Sequence, residues 1–231
     1  VLAYLTHPAV AVDLPGRAAM EGPRQTVGIG DYVAAVANAA ISSSFERVVV
    51  VGHSLAGITI PLVARRLGDQ VAHLVFVSSV VPPEGSNVVD TIPRALQAYA
   101  RSQIKRHDDF RISSELARHL FCNDASRAQF EEVKRQLCPE PTEVLTEPVS
   151  RKGVPPDIPT TYIMCFRDRA LTPRRQRRQI ANLGRPPQVL GLDSDHDAFA
   201  SRPRELALLL NAIADTAAKT GVHTSEGPLL R

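Results

Sequence analysis

Cysteine is scarce in this chain, with three in 231 residues. Cys122, Cys138 and Cys165 make no paired framework, which points to a reducing compartment and a cytoplasmic location. There is no initiating methionine, so an export signal ahead of Val1 stays open. No apolar run reaches the roughly 18 residues a membrane span needs, and none is expected. Lysine supplies only four of the 27 basic residues, and the net charge of +3 is too small to argue for nucleic acid as a partner. The densest basic cluster, Arg174-Arg175-Gln176-Arg177-Arg178, reads as a solvated helix face in preference to a phosphate-binding patch. Internal repeats and low-complexity blocks are also lacking.

What is present is a soluble globular composition, 44% apolar and 22% charged, in a chain long enough to bury a large core. Strand-like and helix-like segments alternate: strand 9–13, helix about 29–44, strand 46–51, helix 54–67, strand 71–78. Two more apolar strands come at 160–166 and 188–192, with a helix from about Arg202. Such alternation predicts parallel strands covered by helices. Val1 to Thr6 reads as the end of a helix leading into the first strand. Between residues 82 and 157 the pattern changes to prolines separated by helical stretches, with no convincing strand. There Phe130, Val133 and Leu137 fall at helical spacing, as do Leu116 and Leu120. The expected organisation is a core in two parts, 1–81 and 158–219, a helical cap at 82–157, and a disordered tail at 220–231.

Chemistry concentrates at three loops. Gly52-His53-Ser54-Leu55-Ala56-Gly57 follows the apolar run Val48 to Val51 and precedes a helical stretch. A serine held in a tight strand-to-helix turn takes strained backbone angles, so the residues two before and two after must be small, as Gly52 and Ala56 are. The same turn sets the N–H of Leu55 at a helix start, where it can donate to a developing oxyanion. Asp168 falls in the loop after strand 160–166, and His196 in the loop after strand 188–192. In an open parallel sheet these ends share the ligand-binding edge. The aspartates around His196, at 193, 195 and 197, read as a polar loop rather than a metal cage. His7, His73, His107, His119 and His223 carry no motif, and structural roles are their default.

These stretches, with Asp13-Leu14-Pro15-Gly16, Asp168-Arg169-Ala170-Leu171 and Asp195 to Pro203, resemble the α/β-hydrolase superfamily, in its small esterase and hydroxynitrile-lyase-like branch. The resemblance covers residues 1 to about 215 and is weakest between 83 and 157. It implies the α/β-hydrolase fold, a mostly parallel sheet flanked by helices with an inserted helical cap. Ser54 would be the nucleophile, His196 the general base and acid, and Asp168 the residue that orients it. Leu55 N–H would be an oxyanion donor. The activity implied is hydrolysis of small or medium apolar carboxylic esters through an acyl-enzyme, with a small-molecule ester as partner and no cofactor or metal. Two other readings stand beside it: a receptor-like binding module, and a hydroxynitrile lyase, against which Asp197 stands where the plant lyases carry lysine. Aspartate-nucleophile relatives, epoxide hydrolases and haloalkane dehalogenases, are disfavoured by Ser54. The family's second oxyanion donor, from a loop after an early strand, has no counterpart before Asp13. On that ground the chain as given is expected to be a truncated form, poorly soluble and nearly inactive.

Overall fold

The computed structural model describes residues 1–17, 27–92, 94–106 and 109–222. Among the described residues, four strands form the main sheet: β1 (Val48–His53), β2 (Val71–Val77), β5 (Thr160–Cys165) and β6 (Gln188–Leu192), in the order β1-β2-β5-β6. All neighbours are parallel, with Val77 beside His53 on one side and Ile163 on the other. Their C-terminal ends therefore share one edge.

Each strand of the sheet centre divides its side chains between two cores, because successive residues point to opposite faces. Leu74, Phe76, Tyr162 and Met164 pack on one face, against Ile29, Tyr32 and Val33 of α1 (Ile29–Ser42) and Ile60, Leu62 and Val63 of α2 (Ile60–Leu67). The Phe76 and Tyr162 rings lie 6.3 Å apart and nearly parallel. Val75, Val77, Ile163 and Cys165 face the other way, onto Leu206, Leu210 and Ile213 of α9 (Pro203–Val222), which comes directly after the short α8 (Ala198–Ser201). Burial of each large side chain contributes about 1.5–3 kcal/mol, so both covering layers are needed to seal a sheet this apolar.

The connection from β2 to β5 carries α3 (Arg94–Arg106), α4 (Ser114–Leu120), α5 (Arg127–Gln136) and α6 (Thr142–Thr146). It also holds two short strands, β3 (Asp109–Phe110) and β4 (Glu140–Pro141), paired antiparallel. No strand is expected from this proline-rich stretch, and the ladder is only two residues long because Pro141 has no N–H to extend it. Ser113 and Ser126 cap α4 and α5 by accepting from Leu116 N and Gln129 N. Phe130 and Val133 are buried with Ala117 and Cys122 in a separate small core. Leu116, expected on the apolar stripe, is instead 47% exposed.

Two further expectations are corrected. Residues 9–13 form no strand: among the described residues no ladder partner flanks them, and Val10 is 56% exposed. An apolar segment becomes a strand only where another backbone completes its hydrogen bonds. At the other end, α9 runs on to Val222, so 220–222 are helical rather than disordered, and the remainder of that expected tail lies outside the described residues. The link between β5 and β6 is α7 (Pro173–Asn182), on which Arg174, Arg177 and Arg178 are exposed as expected of a solvated face.

Gly57 sits where two chain segments touch. A Cβ there would lie 2.4 Å from Val80 O and 2.8 Å from Ser79 Cβ, whereas one at Gly30 in α1 meets nothing within 4 Å. Gly57→Ala should therefore lower stability by about 1–3 kcal/mol, while Gly30→Ala should leave it equal or raise it by up to about 1 kcal/mol. Urea unfolding measures both, and an unchanged midpoint for Gly57→Ala would refute the close approach.

Candidate active site

β1 ends at His53, and the chain turns at once into a short 3-10 helix, Ser54–Ile58, before α2. Ser54 takes φ +50°, in the left-handed region, at a cost of about 1–3 kcal/mol for a residue with a Cβ. A Cβ at Gly52 would meet Ile60 Cγ2 at 2.8 Å and Ala56 Cβ at 3.2 Å, so the small residues around the serine are a steric requirement. Leu55 lies in the first turn of the 3-10 helix, where backbone N–H groups have no intrahelical acceptor.

The structure brings Ser54, His196 and Asp168 together. His196 Nε2 is 2.8 Å from Ser54 Oγ, and Nδ1 is 2.6 Å from Asp168 Oδ2. A carboxylate only accepts, so Nδ1 carries the proton and Nε2 offers its lone pair to the serine. Asp168 is buried and receives two more donors, Leu171 N on Oδ1 at 2.7 Å and the Ser78 hydroxyl on Oδ2. Burial works against the charged form of His196, but the hydrogen bond and charge of Asp168, with the charges of Asp197 and Asp195, outweigh it. The histidine pKa is held above its ordinary value.

The other aspartates of this loop are sorted by their surroundings. Asp193 is exposed and pairs with Arg167, which also reaches Asp124 Oδ1 at 3.0 Å. That pairing lowers the Asp193 pKa. Asp195 is fully buried and accepts from Asp124 N at 2.9 Å, Ala125 N at 3.0 Å and Ser201 Oγ at 2.6 Å. Asp197 faces Cys122 Sγ at 3.4 Å, and burial pushes its pKa up to about 6 against the pull of His196. Asp197 N also donates to Phe121 O, and the Phe121 ring lies 5.1 Å from the His196 ring. The segment 121–125 is thus bound to the histidine loop through both of the aspartates beside His196.

His53 is the functional neighbour that motif reading passes over, although its place next to Ser54 is the signal. Its Nε2 donates to His196 O at 2.8 Å, and its ring lies edge-on to Phe199 at 5.3 Å. Burial, with the nearby His196, brings its pKa down to about 3, so it is neutral. His53, His196 and Asp197 hold candidate ligand atoms within 4.8 Å of one another. Since His53 Nε2 and both His196 nitrogens are already engaged, this donor set does not fit a metal. Of the remaining histidines, His7 pairs with Asp215 at 2.7 Å and His73 with Thr161 Oγ1 at 2.8 Å. His119 meets Arg169 at 3.5 Å, while His107 and His223 lie outside the described residues. Gln176 and Gln179 are also missed by motif reading: buried on α7, Gln176 bonds the backbone of Cys165 and Leu171 on either side of Asp168, and Gln179 accepts from Val81 N in the segment after β2.

The chain belongs to the alpha/beta hydrolase family, whose model matches residues 1–207. It is 27% identical over 222 residues to a probable hydrolase, R7, of a Phoma species, spanning 92% of this chain and 89% of that one. The pheophorbidase of Raphanus sativus is 26% identical over 74% of this chain and 69% of its own. The (S)-hydroxynitrile lyase of Manihot esculenta is 27% identical over 74% and 71% respectively. Among solved structures, an extracellular alpha/beta-hydrolase from a Paenibacillus species superposes with a TM-score of 0.77 at 22% identity, over 86% of this chain and 84% of the other.

The raised His196 pKa sets a sign that can be checked on the folded protein. A neutral Nε2 is reached only above that pKa, so the imidazole should titrate above the ordinary histidine value of about 6.5. Asp168→Asn, which removes the charge and the acceptor, should move the midpoint down. An NMR titration of His196 reads both, and a midpoint that does not fall in Asp168→Asn would contradict the assignment of cause.

Proposed function

We propose that this chain is a serine hydrolase that cleaves small or medium apolar carboxylic esters through an acyl-enzyme. The observation that carries the reading is the continuous hydrogen-bonded line from Ser54 Oγ through His196 to Asp168, at 2.8 and 2.6 Å, with the serine on a left-handed turn. His196 Nε2 takes the hydroxyl proton as Ser54 Oγ bonds to the ester carbonyl carbon. Asp168 stabilises the imidazolium that results, and the Leu55 N–H donates to the oxyanion. His196 then returns the proton to the departing alcohol, and water enters by the same route to release the acid. Residues 82–157 serve as a cap, whose segment 121–125 brings the Phe121 ring beside His196. With Phe199 edge-on to His53 at 5.3 Å, these rings favour apolar groups over charged ones.

Hydrolases and esterases among the relatives support this reading, including a pheophorbidase and a methylesterase. Asp197 supports hydrolysis over cyanide release, since it puts a buried carboxyl bonded to Cys122 where a lyase would need a cation.

Ser54→Ala should reduce turnover of a short-chain p-nitrophenyl ester by several orders of magnitude, because triad members act as a unit. A fluorophosphonate probe should label Ser54 in the parent and nothing in the variant. Near-normal turnover in Ser54→Ala would end the proposal.

The aspartates of the loop should separate in the same assay. Asp168→Asn should lower kcat by on the order of 10⁴ through the wrong tautomer, and Asp193→Asn, on an exposed pair, should do little. Asp195→Asn should fall between, because it removes the negative charge on which Asp124 N, Ala125 N and Ser201 Oγ converge and so weakens the tie to the segment 121–125. A larger loss from Asp195→Asn than from Asp168→Asn would reassign the acid.

A further inference from the structure

Strand β2 supplies none of the three residues of the line, yet it lies between the strand of Ser54 and the strand of Asp168. The segment just past its end, Ser78-Ser79-Val80, binds to both. Ser78 N donates to Ile163 O at 2.9 Å, which continues the β2–β5 pairing, but φ is then +38°. Ser78 is fully buried, and its hydroxyl donates to Asp168 Oδ2, the same oxygen that accepts His196 Nδ1–H. Leu171 N holds the other oxygen. With both oxygens tied from different directions, the carboxylate plane cannot turn without losing a bond in a buried site. On the opposite side, Ser79 Oγ donates to Gly52 O at 2.7 Å and Val80 N to Ser54 O at 2.8 Å. Three consecutive residues therefore hold the acid with one hand and the serine turn with the other.

We propose that Ser78 is a positioning residue of the hydrolase reaction, holding the Asp168 carboxylate in the rotation that aligns His196 on Ser54 and sharing the charge that His196 feels. The inference rests on the hydrolase reading above. Left-handed backbone at a buried non-glycine residue costs about 1–3 kcal/mol, and such a conformation persists only when its surroundings enforce it. Here it turns a hydroxyl onto Asp168. Several charged or titratable groups also act on this site: Asp195 and Asp197 from the loop of His196, His53 from β1, Arg175 from α7, and Cys165 and Tyr162 from β5. None of these six makes a hydrogen bond to Asp168 Oδ2, whereas the Ser78 hydroxyl does. Losing it would leave Oδ2 with His196 as its one donor, concentrating the negative charge on the imidazolium.

The test is the titration of His196 by NMR, with steady-state kinetics, in Ser78→Gly and Ser78→Cys. Glycine accepts the left-handed backbone and removes the donor; cysteine keeps the shape and a weaker donor. In Ser78→Gly the His196 midpoint should rise by roughly half a pH unit or more. kcat should fall, by up to about 10²-fold from misalignment, with KM nearly constant. Ser78→Cys should lie between it and the parent, and Ser79→Ala, whose hydroxyl serves Gly52, should leave the midpoint in place. A parent-like midpoint in Ser78→Gly overturns the proposal, and so does a loss of activity matched by lost stability at an unmoved midpoint. If Ser78→Gly does not fold, Ser78→Cys decides by the same two readouts. Should the parent neither cleave esters nor take fluorophosphonate, the hydrolase reading has failed. The His196 midpoint, read on folded protein without substrate, still reports whether Ser78 governs the acid.

Discussion

Everything at this site depends on the parallel register of β1, β2, β5 and β6. Parallel pairing aligns strand ends as well as strand bodies, so the residue after His53 and the loops after Cys165 and Leu192 emerge on one edge. Ser54 and His196 are 142 residues apart in the chain and 2.8 Å apart in space for that reason. The two-faced packing of β2 and β5 fixes the register. A shift of one residue would turn Phe76 and Tyr162 from the α1–α2 core to the α9 core and displace every loop with them.

Four aspartates lie within a short reach of His196, and burial rather than sequence position decides what each does. Asp168 is inside, with three donors; Asp193 is outside, neutralised by Arg167. Asp195 spends its charge on backbone N–H groups of the connection between β2 and β5. Asp197 is buried beside the Cys122 thiol and near the charges of Asp195 and Asp168, and burial raises its pKa against the pull of His196. The net effect favours a proton on the histidine.

Much of this is legible in the residues. Apolar runs at 48–51, 71–77, 160–165 and 188–192 locate the sheet, most fully in β2 and β5, which are buried along nearly their whole length, whereas β6 is largely exposed. The serine turn can be read from spacing, since Gly52 is there on account of Ile60 and Ala56. Residues 9–13 carry the same apolar signal without forming a strand, because composition reports a willingness to pair and says nothing of a partner. The two-residue ladder between 109–110 and 140–141 is set by tertiary contact alone. Ser78 and Gln176 are invisible in the sequence for a related reason: a buried polar side chain at a strand end or on a helix declares itself only by what it touches.

The Asp195 clamp has a consequence for motion. Separating residues 124 and 125 from the histidine loop would break two hydrogen bonds to the Asp195 carboxylate, at about 1.5–3 kcal/mol each, which keeps such an opened state rare. The proposed cap is therefore divided into unequal parts. Its stretch around Phe121 is tied to the histidine loop by these bonds and by Asp197 N on Phe121 O. Amide exchange would report this as slow exchange at Asp124 and Ala125 beside faster exchange elsewhere in the same insertion, a boundary within the cap rather than around it.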